Sequence, residues 1–197
     1  EILYLSFKKT LFDMSLTYSK MLPLTTKLPS FDLPNVITGE KFSSNNLSDE
    51  CGKVIMFICN HCPYVIHYHD QLVKLINEYV KKKIEFVAIS SNDVENYPQD
   101  SPENMKILFK DLGLSIPYLY DESQEIAKKY MAECTPEFYF FDKNNSLIYR
   151  GRMDDSSPRN GIKPSGEDLR SAIDNFILEN EIDHNQLPSM GCNIKWK

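Results

Sequence analysis

Apolar residues near the middle of the chain predict a buried strand followed by an amphipathic helix. Residues 54–58 form an unbroken apolar run, which is typical of a strand buried on both faces. The next apolar residues recur at helical spacing and predict a helix from about residue 64 to residue 82: Val65, Tyr68, Leu72, Ile76 and Tyr79. Residues 84–90 predict a second strand. This order predicts a right-handed parallel crossover.

The remaining elements complete an α/β pattern. Ser101 and Pro102 suit the cap and first position of a helix, residues 116–120 predict a short strand, and a further helix follows Asp121. Residues 137–141 and 147–150 predict a hairpin, and a last helix begins near Ser165. Residues 36–42 predict a small N-terminal hairpin. The expected fold is a central mixed sheet flanked by helices, with an inserted helix and strand.

The composition narrows the expected function and partners. The chain has 197 residues, a net charge of −6 and no run of five basic residues, which disfavours binding to nucleic acid or to an anionic membrane. No apolar stretch is long enough for a signal peptide or a membrane helix. Five cysteines without a dense framework favour a reducing compartment. We therefore expect a cytoplasmic protein, a monomer or weak dimer.

One folded domain is expected within the chain. Residues 1–20 are predicted to be a leader or an expression remnant, with disorder expected, because Met14 and Met21 are alternative starts. Residues 21–180 are predicted to form the domain. Residues 181–197 are predicted to form an irregular tail that packs on the domain, since Trp196, the only tryptophan, is rarely left exposed.

The motif Cys59-Asn60-His61-Cys62 lies where the predicted strand ends and the predicted helix begins. A helix N-terminus favours a thiolate over a thiol, and the motif therefore suggests a redox-active dithiol. We expect Cys59 to be the more exposed, attacking thiol and Cys62 to resolve the mixed disulfide, with Asn60 capping the helix. A zinc site is the alternative, but it would need two further ligands, such as Cys134, Cys192 or a histidine.

The element order and the motif resemble the thioredoxin-like superfamily, in particular the peroxiredoxin-like redoxin group of AhpC/TSA type that carries a thioredoxin-type Cys-x-x-Cys. The resemblance covers roughly residues 28–180. It implies a thiol-disulfide oxidoreductase that needs no cofactor or metal beyond its redox-active disulfide. It also implies that His61 stabilises a thiolate and that Thr135-Pro136 is the cis-proline beside the motif. Thr135, Pro136 and Tyr64 would then bind an extended substrate, in a groove near Phe138.

Two other functions remain open at this stage. A thiol-dependent peroxidase would use Cys62 as the peroxidatic thiol, but the family's Pro-x-x-x-Thr-x-x-Cys pattern has Ile55 and Cys59 at the proline and threonine positions. Arg150 or Arg152 would then have to replace the activating arginine. A non-catalytic redox sensor would use the same dithiol as a switch. Expected partners are protein or peptide thiols and disulfides and an unidentified reductant, and Cys192 is a candidate third redox thiol.

Overall fold

The computed structural model describes residues 16–197. Its ten strands are β1 (Leu16–Tyr18), β2 (Asp32–Pro34), β3 (Lys41–Ser43), β4 (Gly52–Phe57), β5 (Ile84–Ser90), β6 (Tyr118–Tyr120), β7 (Cys134–Thr135), β8 (Glu137–Phe141), β9 (Leu147–Gly151) and β10 (Met190–Asn193). Its four α-helices are α1 (Pro63–Tyr79), α2 (Pro102–Leu112), α3 (Glu125–Lys129) and α4 (Glu167–Ile177). Short 3-10 turns cover Ser44–Asn46, Val80–Lys82 and Pro98–Asp100.

A five-stranded mixed sheet forms the centre of the fold, in the order β6-β5-β4-β8-β9. β4, β5 and β6 run parallel to one another, whereas β8 is antiparallel to both β4 and β9. The parallel crossover through α1 and the β8–β9 hairpin therefore agree with the predictions. The N-terminal hairpin also forms, but its strands β2 and β3 pair Leu33 with Phe42, so residues 36–40 belong to the connecting turn.

The core lies on both faces of this sheet. Every residue of β4 is buried, as the unbroken apolar run predicted. Val54 and Met56 pack with α1 on one face, whereas Ile55 and Phe57 pack with the N-terminal segment on the other face. Because successive side chains of a strand point to opposite faces, β4 joins the two apolar layers and is held rigidly between them.

Helix α1 begins one residue after Cys62, which is its N-cap. Asn60 had been predicted to cap the helix, and that prediction is wrong. The Asn60 side chain instead donates to the Gln99 carbonyl oxygen at 3.0 Å and accepts from the Tyr118 hydroxyl at 3.3 Å. Cys62 is therefore the motif cysteine closest to the positive end of the helix dipole.

The two ends of the described chain meet in a second, three-stranded sheet with the order β1-β10-β7. Two predictions are corrected here. Residues 16–18 form β1, although residues 1–20 had been placed outside the domain; residues 1–15 lie outside the described part. Residues 190–193 form β10, although the tail had been expected to be irregular. Short strands of this kind carry little pattern of their own; β10 forms by pairing with β7, and β1 forms by pairing with β10. Within residues 16–197, no helix is long and apolar enough to cross a membrane.

Candidate redox site

Cys59 and Cys62 lie at the end of β4 and at the N-terminus of α1, and their thiols are close enough to influence each other's ionisation. Both residues are buried, with exposed fractions of 1% and 0%. Cys59 therefore lacks the exposure expected of the attacking thiol, and the two fractions do not distinguish the cysteines. The strand and helix that carry the motif pack it beneath later parts of the chain, so a substrate can reach either sulfur only after a local opening.

Thr135 contacts both cysteines of the motif. Its hydroxyl Oγ1 lies 3.3 Å from Cys59 Sγ, and its carbonyl oxygen lies 3.2 Å from Cys62 Sγ, which donates to it in the thiol form. The Thr135-Pro136 peptide bond is cis, as predicted. The cis-proline turn thus lies beside the dithiol, and sequence-distant residues complete one compact site.

The predicted substrate groove beside this turn is not open. Thr135, Pro136 and Phe138 are buried, and the edge of β7 is paired with β10, with Thr135 opposite Cys192. β10 thus lies where Thr135 had been expected to bind the backbone of an extended substrate. Tyr64 is only half-buried. The nearest opening is a cleft of about 280 Å³ that Pro136, Met190 and Asp154 help to line.

Cys192, the candidate third thiol, is brought into the site by β10. It is 3% exposed and lies opposite Thr135, close enough to Cys62 for the two thiols to influence each other's ionisation. Cys134 occupies the neighbouring position of β7, but its sulfur is directed at Glu137 Oε2, 3.8 Å away. The site therefore contains three thiols, of which Cys62 interacts with both Cys59 and Cys192.

Hydrogen bonds among the three thiols concentrate negative charge on Cys62. Burial opposes ionisation of Cys62, but hydrogen bonds from Cys192 and Cys59 outweigh it and hold the Cys62 pKa well below its ordinary value. Burial raises the pKa of Cys59, as do its hydrogen bond to Cys62 and the charge of Asp100. The hydrogen bond to Cys62 and burial raise the pKa of Cys192. These directions differ from the expectation of a Cys59 thiolate and favour Cys62 as the attacking sulfur.

Asp100 is a buried carboxylate that the sequence analysis did not single out. It accepts four hydrogen bonds: from the backbone N–H groups of Asn60 and His61 at 2.8 and 3.3 Å, from His61 Nδ1 at 2.6 Å and from Asn92 Nδ2 at 2.8 Å. A buried charge needs such partners. Asp100 therefore fixes the turn of the motif and orients the His61 ring. Its only sequence signal was its place at the end of a polar loop, directly before the cap of α2.

His61 is held above the dithiol by contacts on two sides. Asp100 binds its Nδ1, and the Tyr97 ring stacks on it with centroids 5.7 Å apart and planes 7° from parallel. Its side chain remains 18% exposed. A ring fixed in this way can exchange protons between solvent and the buried sulfurs. His67 and His69 lie farther along α1, and His67 Nε2 is 3.0 Å from Ser156 Oγ.

The alternative zinc site can be assessed from the same geometry. Ligand atoms of Cys59, His61 and Asp100 lie within 4.8 Å of one another. Both Asp100 oxygens, however, are already occupied by N–H donors, including two backbone groups that cannot turn away. A cation bound there would have to break that network, so the cluster fits the structural role of Asp100 better than a metal centre.

The two arginines considered for a peroxidase both bind other groups. Arg150 donates to the Leu22 carbonyl oxygen at 3.0 Å and to Gln186 Oε1 at 2.7 Å. Arg152 donates to Asp168 Oδ2 at 2.6 Å. Both guanidinium groups are therefore already hydrogen-bonded to other parts of the chain, which weakens the expectation that either of them activates a peroxide at Cys62.

Comparison with known proteins identifies the family. Residues 24–150 match the model of the AhpC/TSA family. The chain belongs to this family. An uncharacterized conserved protein from Geobacillus kaustophilus is 50% identical, with a TM-score of 0.91, and the match covers 93% of this chain and 97% of that one. A hypothetical protein from Sinorhizobium meliloti 1021 is 37% identical, with a TM-score of 0.89 and coverage of 92% and 98%. No curated protein matches the chain.

A more distant likeness bears on the fold of this AhpC/TSA member. A thiol:disulfide interchange protein of the thioredoxin family from Chlorobium tepidum TLS is 17% identical, with a TM-score of 0.59 and coverage of 79% of this chain and 99% of that one. At this identity the likeness shows the fold alone. The thioredoxin-like fold expected from the element order is confirmed, and membership of the AhpC/TSA family supports a redox role.

Proposed function

We propose that this AhpC/TSA family protein is a thiol-disulfide oxidoreductase whose Cys59–Cys62 pair cycles between dithiol and disulfide. The observation that carries the proposal is the contact between the two thiols, both bound to Thr135 beside the cis-proline, with Cys62 at a helix N-terminus. Such a pair can exchange two electrons with a protein or peptide disulfide and needs no other cofactor. An unidentified thiol reductant would return the site to the dithiol.

In the proposed cycle, the Cys62 thiolate attacks one sulfur of the substrate disulfide and releases the other as a thiol. Cys59 then loses its proton, attacks Cys62 Sγ and releases the second substrate thiol, which leaves a Cys59–Cys62 disulfide. The low pKa of Cys62 supports this order of attack, which reverses the order expected from the sequence. His61, oriented by Asp100, is suited to accept the proton from Cys59.

A turnover assay tests the proposal. Dithiothreitol should reduce insulin and oxidised glutathione faster with the protein than without it, and Cys59→Ser and Cys62→Ser should each abolish that acceleration. Cys134→Ser is the matched control, because Cys134 is equally buried nearby but is directed at Glu137. Stoichiometric oxidation without turnover would identify a redox sensor and refute the proposal. Efficient consumption of hydrogen peroxide with little disulfide exchange would favour the peroxidase.

A further inference from the structure

The Cys192 thiol is part of the sulfur cluster, and strand pairing fixes its place there. β10 runs antiparallel to β7, with Cys192 opposite Thr135, and the Thr135 carbonyl oxygen is the atom that contacts Cys62 Sγ at 3.2 Å. Directly paired residues of two strands project to the same face of the sheet. The Thr135 side chain contacts Cys59, so Cys192 projects to the face of the sheet on which that contact lies, whereas Cys134 alternates to the other face and meets Glu137.

Gly191 allows β10 to come this close. A Cβ atom on residue 191 would lie 2.0 Å from the Thr135 carbonyl oxygen and 2.8 Å from its carbonyl carbon, both of which are backbone atoms. A side chain at this position would therefore push β10 away from β7. Gly191 thus allows β10 to lie close to β7, and this close approach places the adjacent Cys192 at the site.

Further contacts hold this end of the chain against the loop before α2. The backbone N–H of Lys195 donates to Asn92 Oδ1 at 2.9 Å, and Asn92 in turn donates to Asp100. The Asp93 N–H donates to the Lys195 carbonyl oxygen at 2.8 Å. These bonds connect β10 to the carboxylate that organises the Cys-x-x-Cys turn. These hydrogen bonds therefore help to fix the position of Cys192 in the site.

We propose that Cys192 is a second resolving thiol for Cys62, so that the site forms two alternative disulfides, Cys59–Cys62 and Cys62–Cys192. This inference rests on the proposed function, because it needs Cys62 to exchange with a disulfide. Cys192 is paired with Thr135, and the Thr135 carbonyl oxygen contacts Cys62 Sγ, so strand pairing brings Cys192 to Cys62.

The step balances with a peptide disulfide as the oxidant. The Cys62 thiolate attacks the substrate disulfide; its S–S bond breaks, one substrate thiol leaves with a proton from solvent, and a Cys62–substrate mixed disulfide remains. Cys192 then gives up its proton and attacks Cys62 Sγ. The second substrate thiolate leaves and takes up a proton, and the Cys62–Cys192 disulfide forms. Two electrons pass from the protein pair to the substrate disulfide, which becomes two thiols.

The test uses the full chain with Cys59→Ser, treated with oxidised glutathione, trapped with an alkylating reagent and analysed by peptide mapping. We expect a Cys62–Cys192 disulfide. The double variant Cys59→Ser/Cys192→Ser should stop at the Cys62–glutathione mixed disulfide. It should lose the bound glutathione at least about tenfold more slowly than Cys59→Ser does, because it has no intramolecular thiol that can resolve the mixed disulfide. Cys59→Ser/Cys134→Ser, the matched control, should behave like Cys59→Ser.

A persistent Cys62–glutathione adduct in Cys59→Ser, with Cys192 still free, would overturn the inference. An unmodified Cys62 in that variant would overturn it as well. Wild-type protein treated in the same way separates this failure from a failure of the proposed function. A Cys59–Cys62 disulfide in the wild type would support the proposed oxidoreductase function. Its absence would refute both that function and the inference about Cys192. Partly oxidised wild-type protein should also contain some Cys62–Cys192 disulfide, which keeps the test decisive if the serine variant folds poorly.

Discussion

Glu137, the residue after Pro136, should make the protein less stable as the pH rises. Its side chain is fully buried on β8; Oε2 accepts from the Glu133 N–H at 3.1 Å and Oε1 accepts from the Tyr139 hydroxyl at 2.7 Å. These donors favour the ionised form, but burial outweighs them and raises the pKa of Glu137 from 4.5 to about 7. The folded protein therefore keeps this proton over a pH range in which the unfolded chain has already released it.

The size of the effect follows from linkage. Below pH 4.5 both states are protonated and the group contributes no pH dependence; between pH 4.5 and 7 the folded state binds more protons, so stability falls as the pH rises. The two pKa values differ by about 2.5, which corresponds to a total loss of about 3.4 kcal/mol above pH 7. Between pH 5 and pH 8 the expected loss is about 2.5 kcal/mol.

Glu137→Gln removes this titration and retains the side-chain shape. The amide oxygen can still accept from Glu133, and the amide N–H can donate to the Tyr139 oxygen. Urea unfolding of both proteins at pH 5 and pH 8, with a reductant present, gives the free energy of unfolding. The stability of the variant relative to the wild type should rise by about 2.5 kcal/mol from pH 5 to pH 8.

A companion variant tests the same reasoning in the opposite direction. Tyr139→Phe removes the hydroxyl that donates to Glu137, and should therefore raise the pKa of Glu137 further and increase the loss of stability at high pH. If the difference between Glu137→Gln and the wild type stays constant within about 0.5 kcal/mol across this range, Glu137 does not titrate as described. The argument from burial would then fail.

Two further predictions concern the framework of the site. Asp100→Asn should lower the free energy of unfolding by roughly 2–4 kcal/mol and slow disulfide reduction, because an amide cannot accept hydrogen bonds from all four N–H donors. Urea unfolding and the turnover assay measure the two effects, and an unchanged rate of disulfide reduction would exclude a role for Asp100 in orienting His61. Gly191→Ala should destabilise the protein by about 1–3 kcal/mol and reduce the yield of the Cys62–Cys192 disulfide, because the new Cβ meets the Thr135 carbonyl. A variant that unfolds like the wild type and forms as much of this disulfide would contradict the proposed close approach.

The sequence alone determined the central elements. The apolar run at 54–58 and the helical spacing that follows it specify a buried strand and an amphipathic helix locally, since each pattern matches the period of one element. Local patterns of the same kind also predicted β5, α2 with its cap Ser101, and the β8–β9 hairpin. The Cys-x-x-Cys motif at the strand-to-helix junction was predicted for the same reason, because the period of the pattern changes there.

Only the tertiary structure decided which residues surround that motif and which cysteine carries the charge. Asp100 lies 38 or more positions away from the motif, and its role depends on four donors brought together by folding. β1 and β10 have no pattern that specifies a strand; β10 forms by pairing with β7, and β1 forms by pairing with β10. Burial opposes ionisation of both cysteines, but interactions with two other thiols lower the pKa of Cys62, whereas the pKa of Cys59 stays raised. A pKa depends on solvent exposure and neighbouring charges, which are properties of the folded arrangement and not of residue order.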